Sequence, residues 1–329
     1  MQSTLAAERF QSIRPYIQLA RIDHWFKNAF MLFGTFLALF FEPSLFRLDV
    51  VPTLAIAFLA TCLVASSNYV LNEVLDAPFD RKHPTKRNRP AAAEKIRRSI
   101  ALAEWLVLAA VGIGLGHLVH PYFAASAWAL WVMGIVYNVR PLRTKELPYL
   151  DVLSESVNNV IRLLLGWFAL IQSQFPPVSL MVAYWMAGAF FMAIKRFAEY
   201  RQIGDAKTAK RYRRSFGHYT EDRLLVSVFF YVVMAALFTG VFIVRFRLEL
   251  VFILPLVAGF FAYYLRLGLK ENSPVQNPEK LHRETGFVAF SVVSGIVFVL
   301  LMFTHIPVLY ELFNVELAKT SPLWTLGTP

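Results

Sequence analysis

The chain has 329 residues, 57% of them hydrophobic and only 17% charged, with a formal net charge of +11 and a pI near 9.8. Soluble domains carry about 25% charged residues, so this composition excludes one. The positive balance is gathered into a few loops, a distribution that argues against nucleic acid as a partner. The only cysteine, Cys62, lies in an apolar run, which excludes an intrachain disulfide and speaks against a cysteine-based metal site.

Residues 1–24 contain Glu8, Arg9, Arg14, Arg21 and Asp23 and no apolar stretch of signal-peptide length, so the first apolar run, from Trp25, is expected to remain in the mature protein. A membrane-crossing helix needs about 20 mostly apolar residues. By that measure spans are predicted near 26–42, 51–72, 99–117, 122–138, 150–171, 178–195, 224–244, 250–267 and 286–305. The fold expected is all-α: one polytopic membrane domain over residues 1–329, a bundle of nine transmembrane helices. All but five of the 33 lysines and arginines fall in segments 1–27, 73–98, 139–149, 195–223 and 266–285. The exceptions are Arg47, Arg245, Arg247 and Lys319 on the opposite side and Arg162 inside a span. The excess of basic residues on one side puts the N-terminus in the cytoplasm and the C-terminus outside a plasma (inner) membrane. Loop charge can serve topology and anionic lipid alone, which suits Arg97, Arg98, Lys270 and Lys280. It accounts less well for the long loops 73–98 and 195–223, which also hold acids and amides. With 139–149, they are the candidate catalytic loops.

After the second span comes Asn68-Tyr-Val-Leu-Asn72-Glu73-Val-Leu-Asp76-Ala-Pro-Phe-Asp80-Arg81. Asn68, Asn72, Asp76 and Asp80 are spaced by four and share one helical face, and Pro78 is expected to loosen the last turn so that Asp80 curls toward Asp76. Two carboxylates and an amide oxygen suit Mg²⁺, which completes its octahedron with water and substrate phosphates. Simple capping of a helix end is the competing account, but polar groups at a membrane boundary are costly to keep without a partner. The following Arg81-Lys-His-Pro-Thr-Lys86-Arg87-Asn-Arg89-Pro90 could grip phosphate oxygens the metal leaves uncovered, or be solvated loop charge. By itself the acidic motif signifies magnesium and a diphosphate. His117 and His120, on the external side without a nearby carboxylate, read as interfacial residues.

Nine spans with Asn-x3-Asn-Glu-x2-Asp-x3-Asp after the second resemble the UbiA superfamily of membrane prenyltransferases. The Asp80–Pro90 continuation and the Trp25-Phe-Lys27-Asn28 run are similar to the branch that moves phosphoribosyl groups onto lipid phosphates. Glu73 departs from the family, which usually has Asp there. The resemblance implies Asn72, Glu73, Asp76 and Asp80 as Mg²⁺ ligands, and Lys27, Asn28, Asn68, Asn72, Lys86, Arg87 and Arg89 at the substrates. Where other members carry a second aspartate-rich motif, this chain has Lys195-Arg196-Phe-Ala-Glu199-Tyr-Arg201, then Lys207 to Arg214. Two phosphorylated reactants in one pocket need more fixed positive charge, which Lys195, Arg196, Arg201 and Arg214 would supply, with Glu199 alongside. Lys207 to Arg214 are also compatible with an amphipathic helix on anionic lipid. After the fourth span, Tyr137 and Arg140 match, at altered spacing, the Tyr and basic residue that the family places against diphosphate. In the fifth span Asp151, Glu155, Asn158 and Arg162 share a face, and Arg162 serves either packing or substrate.

The reaction implied is Mg²⁺-dependent transfer of 5-phosphoribosyl from phosphoribosyl pyrophosphate to a polyprenyl phosphate of decaprenyl or undecaprenyl type, with Asp76, Asp80, Lys195 and Glu199 catalytic. The lipid bilayer is a further partner and a homo-oligomer is allowed. By kinship the product would feed cell-envelope glycans. A conventional prenyltransferase with a polyprenyl diphosphate donor and a non-enzymatic transporter or lipid-binding protein are the rival readings.

Overall fold

The computed structural model describes residues 13–81, 86–276 and 278–313, and every regular element among them is a helix. A short helix, α1 (Arg14–Leu19), precedes a 3-10 segment, Ile22–Phe30, that runs directly into α2 (Met31–Phe41). Then follow α3 (Val51–Asp80), α4 (Arg98–Val119), α5 (Pro121–Asn138), α6 (Leu150–Phe168) and α7 (Val178–Ile203). Beyond them lie α8 (Ala206–Tyr212), α9 (Glu221–Phe246), α10 (Leu254–Gly268), α11 (Thr285–Phe303) and α12 (Pro307–Leu312).

Local chemistry marks several of these boundaries. Pro52 and Pro121 sit in the first turns of α3 and α5, where a missing N–H costs nothing. Asp205 and Thr220 cap α8 and α9 by accepting the amides of Thr208 and Arg223, and α7 stops at Gly204, whose φ of 69° is left-handed.

Helices stand at each of the nine predicted positions. Six of them are long and apolar enough to cross a membrane: α3, α4, α7, α9, α11, and α10 with the 3-10 turn before it. The other three differ for visible reasons. The first span is α-helical only from Met31, α5 is diluted by Trp128, Trp131, Tyr137 and Asn138, and α6 carries Asp151, Glu155 and Arg162. The second span is longer than predicted. Pro78 does not loosen its end, and the helix continues through Asp80, about 45 Å in all. Arg81 N–H still donates to Ala77 O, and ion pairs from Arg89 to Asp80 and from Arg81 to Glu94 hold the last turn from outside. Residues 73–80 of the first candidate loop are therefore helical.

Packing centres on α6, which touches α2, α5 and α7. A Cβ on Gly34 would lie 2.0 Å from Leu163 O, and one on Gly166 1.8 Å from Met31 O, so α2 and α6 meet backbone to backbone. Thr35 Oγ1 donates to Gly166 O at the same crossing, 3.3 Å away. The C-terminal ends of α3, α5 and α7 and the N-terminal end of α6 come together at one end of the bundle. At the other end the fully buried Glu249 accepts from Ile306 N–H and Tyr310 Oη, lies 3.0 Å from His305 Nδ1 and pairs with Arg247. A buried carboxylate needs such partners, and these tie the α9–α10 junction to the α11–α12 turn.

Candidate active site

The polar face of α3 meets α5 and the turn that follows it. Asn68 Nδ2 donates to Leu130 O at 2.8 Å, and its Oδ1 occupies the space where a Cβ on Gly134 would stand. Asn72 Nδ2 donates to Asn138 Oδ1 at 2.6 Å, and Lys145 Nζ donates to the same oxygen at 2.8 Å. Lys145 Nζ also reaches Asp76 Oδ1 at 2.6 Å, where Arg143 Nη2 joins it at 3.0 Å. Arg89 Nη1 donates to Asp80 Oδ2 at 2.7 Å. The 139–149 turn delivers its cations through left-handed residues, Arg143 (φ 32°) and Tyr149 (φ 64°). Burial pushes the Lys145 ammonium down to about 8, against the pull of the Asp76 carboxylate. Burial works to raise the Glu146 carboxyl, but hydrogen bonds from Arg214 and Arg143 bring it below the usual carboxylate range.

A second network adjoins the first. Arg196, nearly fully buried, spreads its guanidinium over three carboxylates: Nε to Asp151 Oδ2 at 3.3 Å, Nη1 to Glu199 Oε2 at 3.2 Å and Nη2 to Glu155 Oε2 at 2.6 Å. Asp151 is wholly buried and also receives Arg213 Nη1, Ser215 Oγ and Tyr219 Oη, at 3.3, 3.1 and 2.6 Å. Tyr137 Oη donates to Glu155 Oε2 at 3.1 Å. This network fastens the 204–219 segment onto α6.

Of the residues singled out in the sequence, Asn68, Asn72, Asp76 and Asp80 lie along one stretch of α3 and Arg89 meets Asp80 from the following loop, while Tyr137, Arg196 and Glu199 belong to the neighbouring network. Arg214 reaches Glu146 at 3.0 Å. Lys195 is half-buried and acts electrostatically on Glu155. Other placements differ from expectation. Glu73 turns from Asp76 to a buried pair with Arg21, at 3.1 Å, and accepts Ala91 N–H. Arg140 is exposed and only 4.0 Å from Glu146, because the turn hands the contact with Asp76 to Arg143 and Lys145. Arg196 is not an open phosphate grip, since three acids neutralise it. Arg162 Nε bonds Asn28 Oδ1 at 3.1 Å, and Asn28 Nδ2 bonds Cys62 Sγ, deep in the bundle and well below Asp76. Lys27 lies over the Phe26 ring in the same 3-10 segment. Arg201 is half-exposed against Leu269 O and Glu221, and Arg87 is exposed. The Lys86 side chain lies outside the described residues. Lys207 to Tyr212 lie in the short helix α8, and His120 caps α5 by accepting Tyr122 N–H.

Asn138, Arg143, Lys145 and Arg213 are site residues that the sequence did not single out, and Asp151 was placed on its helical face without a role. All but Arg213 follow or open a span on the basic side, which was the available signal.

Among the described residues no three His, Cys, Asp or Glu side chains converge as a closed metal cage. The α3 acids nevertheless fit an open oxygen site. Asp76 is engaged by protein through Oδ1 and Asp80 through Oδ2, and Asn72 spends its Nδ2 on Asn138. Among the described residues, one carboxylate oxygen of each acid and the Asn72 carbonyl are thereby left for a hard cation that keeps water and phosphate ligands.

Similarity to known proteins agrees with this arrangement. Decaprenyl-phosphate phosphoribosyltransferase of Mycolicibacterium smegmatis is 30% identical over 213 residues, 63% of this chain and 63% of that protein. The Corynebacterium glutamicum protein of that name is 31% identical over 213 residues, 63% of this chain and 60% of its own length. The chain thus spans less than two thirds of the length of these curated relatives. In structure, a UbiA homolog from Archaeoglobus fulgidus bound to GPP and Mg²⁺ superposes with a TM-score of 0.63 at 17% identity, over 88% of this chain and 98% of that one. The UbiA prenyltransferase family profile matches residues 29–283. With that match and six helices apolar enough to cross a bilayer, the chain is an integral membrane protein that belongs to the UbiA prenyltransferase family.

Proposed function

We propose that the chain transfers the 5-phosphoribosyl group of phosphoribosyl pyrophosphate to a polyprenyl phosphate at the cytoplasmic face of the plasma membrane, with Mg²⁺ and with inversion at C1. The observation that carries this reading is the charge around the α3 acids. Asp76 and Asp80 are met by three cations, Arg143, Lys145 and Arg89, before any metal is counted. That excess suits a donor with a 5-phosphate besides its diphosphate, facing an acceptor that is itself an anion. The names of the mycobacterial and corynebacterial relatives support the same donor and acceptor class.

Asp76, Asp80 and Asn72 would hold Mg²⁺, which supplies charge neutralisation to the departing pyrophosphate. Arg143 and Lys145, gathered at Asp76, would reach the donor's phosphate oxygens from there, Arg in bidentate fashion. The C1–O bond to pyrophosphate breaks with its electron pair, and a lipid phosphate oxygen forms the new bond from the opposite face. The nucleophile is already an anion, so no general base is needed, and the residues contribute orientation and preorganised charge. Asp151 and its donors keep the 204–219 segment in place over this chemistry.

The second reading, a prenyl diphosphate donor, is favoured by the GPP and DMAPP named in the Archaeoglobus fulgidus structures and by a protoheme IX farnesyltransferase relative. Purified protein incubated with ribose-labelled phosphoribosyl pyrophosphate, polyprenyl phosphate and Mg²⁺ should place label in the lipid phase, and a chelator should stop it. Label that stays aqueous while a prenyl diphosphate is consumed would favour the second reading.

A further inference from the structure

One cleft at the catalytic end takes no part in the steps above. It lies on the flank of α3, between the junction of α1 with the 3-10 segment and the loop carrying Arg89. Its volume is about 600 Å³, and Gln18, Arg21, Asp23, His24, Glu73 and Arg89 line it, the exposed Asp23 carboxylate lying 2.9 Å from His24 Nδ1. Arg21 enters from a left-handed backbone conformation, φ 48° and ψ 52°, which a residue with a β-carbon keeps only where its surroundings hold it. Its Nη2 donates to Glu73 Oε2 at 3.1 Å, and the guanidinium lies 5.7 Å from the Tyr69 ring centroid. The other Glu73 oxygen accepts Ala91 N–H at 3.3 Å. Glu73 therefore sets both walls, holding Arg21 on one side and the loop on the other. Arg89 lines the cleft and at the same time pairs with Asp80, so the cleft is one side chain away from the proposed donor site.

The outer rim is mixed, with Gln18 and Asp23 among apolar side chains. Ile13, Ile17, Ile22 and Phe26 are exposed along α1 and the 3-10 segment, the kind of surface that lies at the boundary of headgroups and acyl chains. An anion arriving along this rim would bring an apolar tail with it.

We propose that this cleft is the docking subsite for the phosphate of the polyprenyl phosphate acceptor, held by Arg21 and Arg89 and positioned by Glu73. The inference rests on the proposed function and adds where the acceptor binds and why Glu73 stands apart from Asp76 and Asp80. Two guanidinium forks match the oxygens of a phosphomonoester. Engagement of Asp80 by the donor complex frees Arg89 for the acceptor, so the donor's binding strengthens the acceptor's.

The test measures undecaprenyl phosphate binding to the full-length protein in phosphatidylcholine nanodiscs by native mass spectrometry, without donor. Arg21→Gln should weaken binding roughly tenfold, the loss of a charge-assisted hydrogen bond. Glu73→Gln, which keeps an acceptor for Ala91 N–H and removes the competing charge, should bind as tightly as wild type or more tightly. Mg²⁺ with pyrophosphate should tighten binding in wild type and not in Arg89→Gln. Equal weakening in Arg21→Gln and Glu73→Gln would make the pair merely structural and overturn the assignment. So would displacement of the lipid by phosphatidylglycerol or inorganic phosphate at equal concentration. If wild type binds and transfers while Arg21→Gln is silent, only the cleft falls; if wild type binds prenyl diphosphate and no polyprenyl phosphate, the proposed function falls too.

Discussion

Two side chains of one short turn, Arg143 and Lys145, converge on a single oxygen of Asp76, while Arg140 in the same turn points to solvent. Lys145→Ala or Arg143→Ala should therefore lower kcat/KM by roughly 10²-fold, the usual cost of one preorganised charge contact, and Arg140→Ala should be nearly silent in the same assay. Asp76→Asn should abolish turnover with its size-exclusion profile unchanged. Lys145 also gives a signature in pH. Its folded value of about 8 lies below the ordinary 10.5, so between those limits the unfolded chain binds the additional proton. The metal-free protein then gains stability as pH rises through that window, by about 3 kcal/mol. Denaturant unfolding of wild type and Lys145→Met across the window should show this rise in wild type alone. At this scale the sequence was informative about residue type and side of the membrane. It could not tell which of three cations in an eleven-residue loop reach the acid, because the left-handed backbone at Arg143 redirects the chain between Arg140 and Lys145. Glu73 was legible as an anomaly, but its partner Arg21 lies 52 positions away.

Among the elements, α6 holds the site to the bundle. Asp151, Glu155, Asn158 and Arg162 do lie on one face, as their spacing shows, yet they divide by depth. Asp151 and Glu155 meet Arg196, and Arg162 meets Asn28. Periodicity reports angle around an axis and not the neighbour met along it. Asp151→Ala would leave Arg213, Ser215 and Tyr219 without their acceptor and should cost about 3 kcal/mol, read as lower thermal stability and faster proteolysis of 204–219. Gly166→Ala would press a methyl into Met31 O, an overpacking that costs about 1–3 kcal/mol or more. It should lower the yield of folded protein, whereas Gly240→Ala, in open space, should not. The long apolar helices were legible because length and hydropathy define them. The 3-10 start of the first span and the persistence of α3 past Pro78 were not, since both depend on contacts with distant segments.

Over the whole molecule, basic charge and the α3 acids gather at one end of a bundle whose fold is that of UbiA proteins. That architecture accommodates a soluble donor at the polar end and a lipid acceptor in the bilayer, and family membership alone does not choose between phosphoribosyl and prenyl donors. The choice falls to the cations around Asp76 and Asp80. The direct measurement is a competition in which the purified protein, with Mg²⁺, is offered phosphoribosyl pyrophosphate and a prenyl diphosphate together, alongside polyprenyl phosphate and an aromatic acceptor, and all lipid products are identified by mass. The expected product is phosphoribosylated polyprenyl phosphate with no prenylated aromatic; a prenylated aromatic without the phosphoribosyl lipid would overturn the phosphoribosyl assignment.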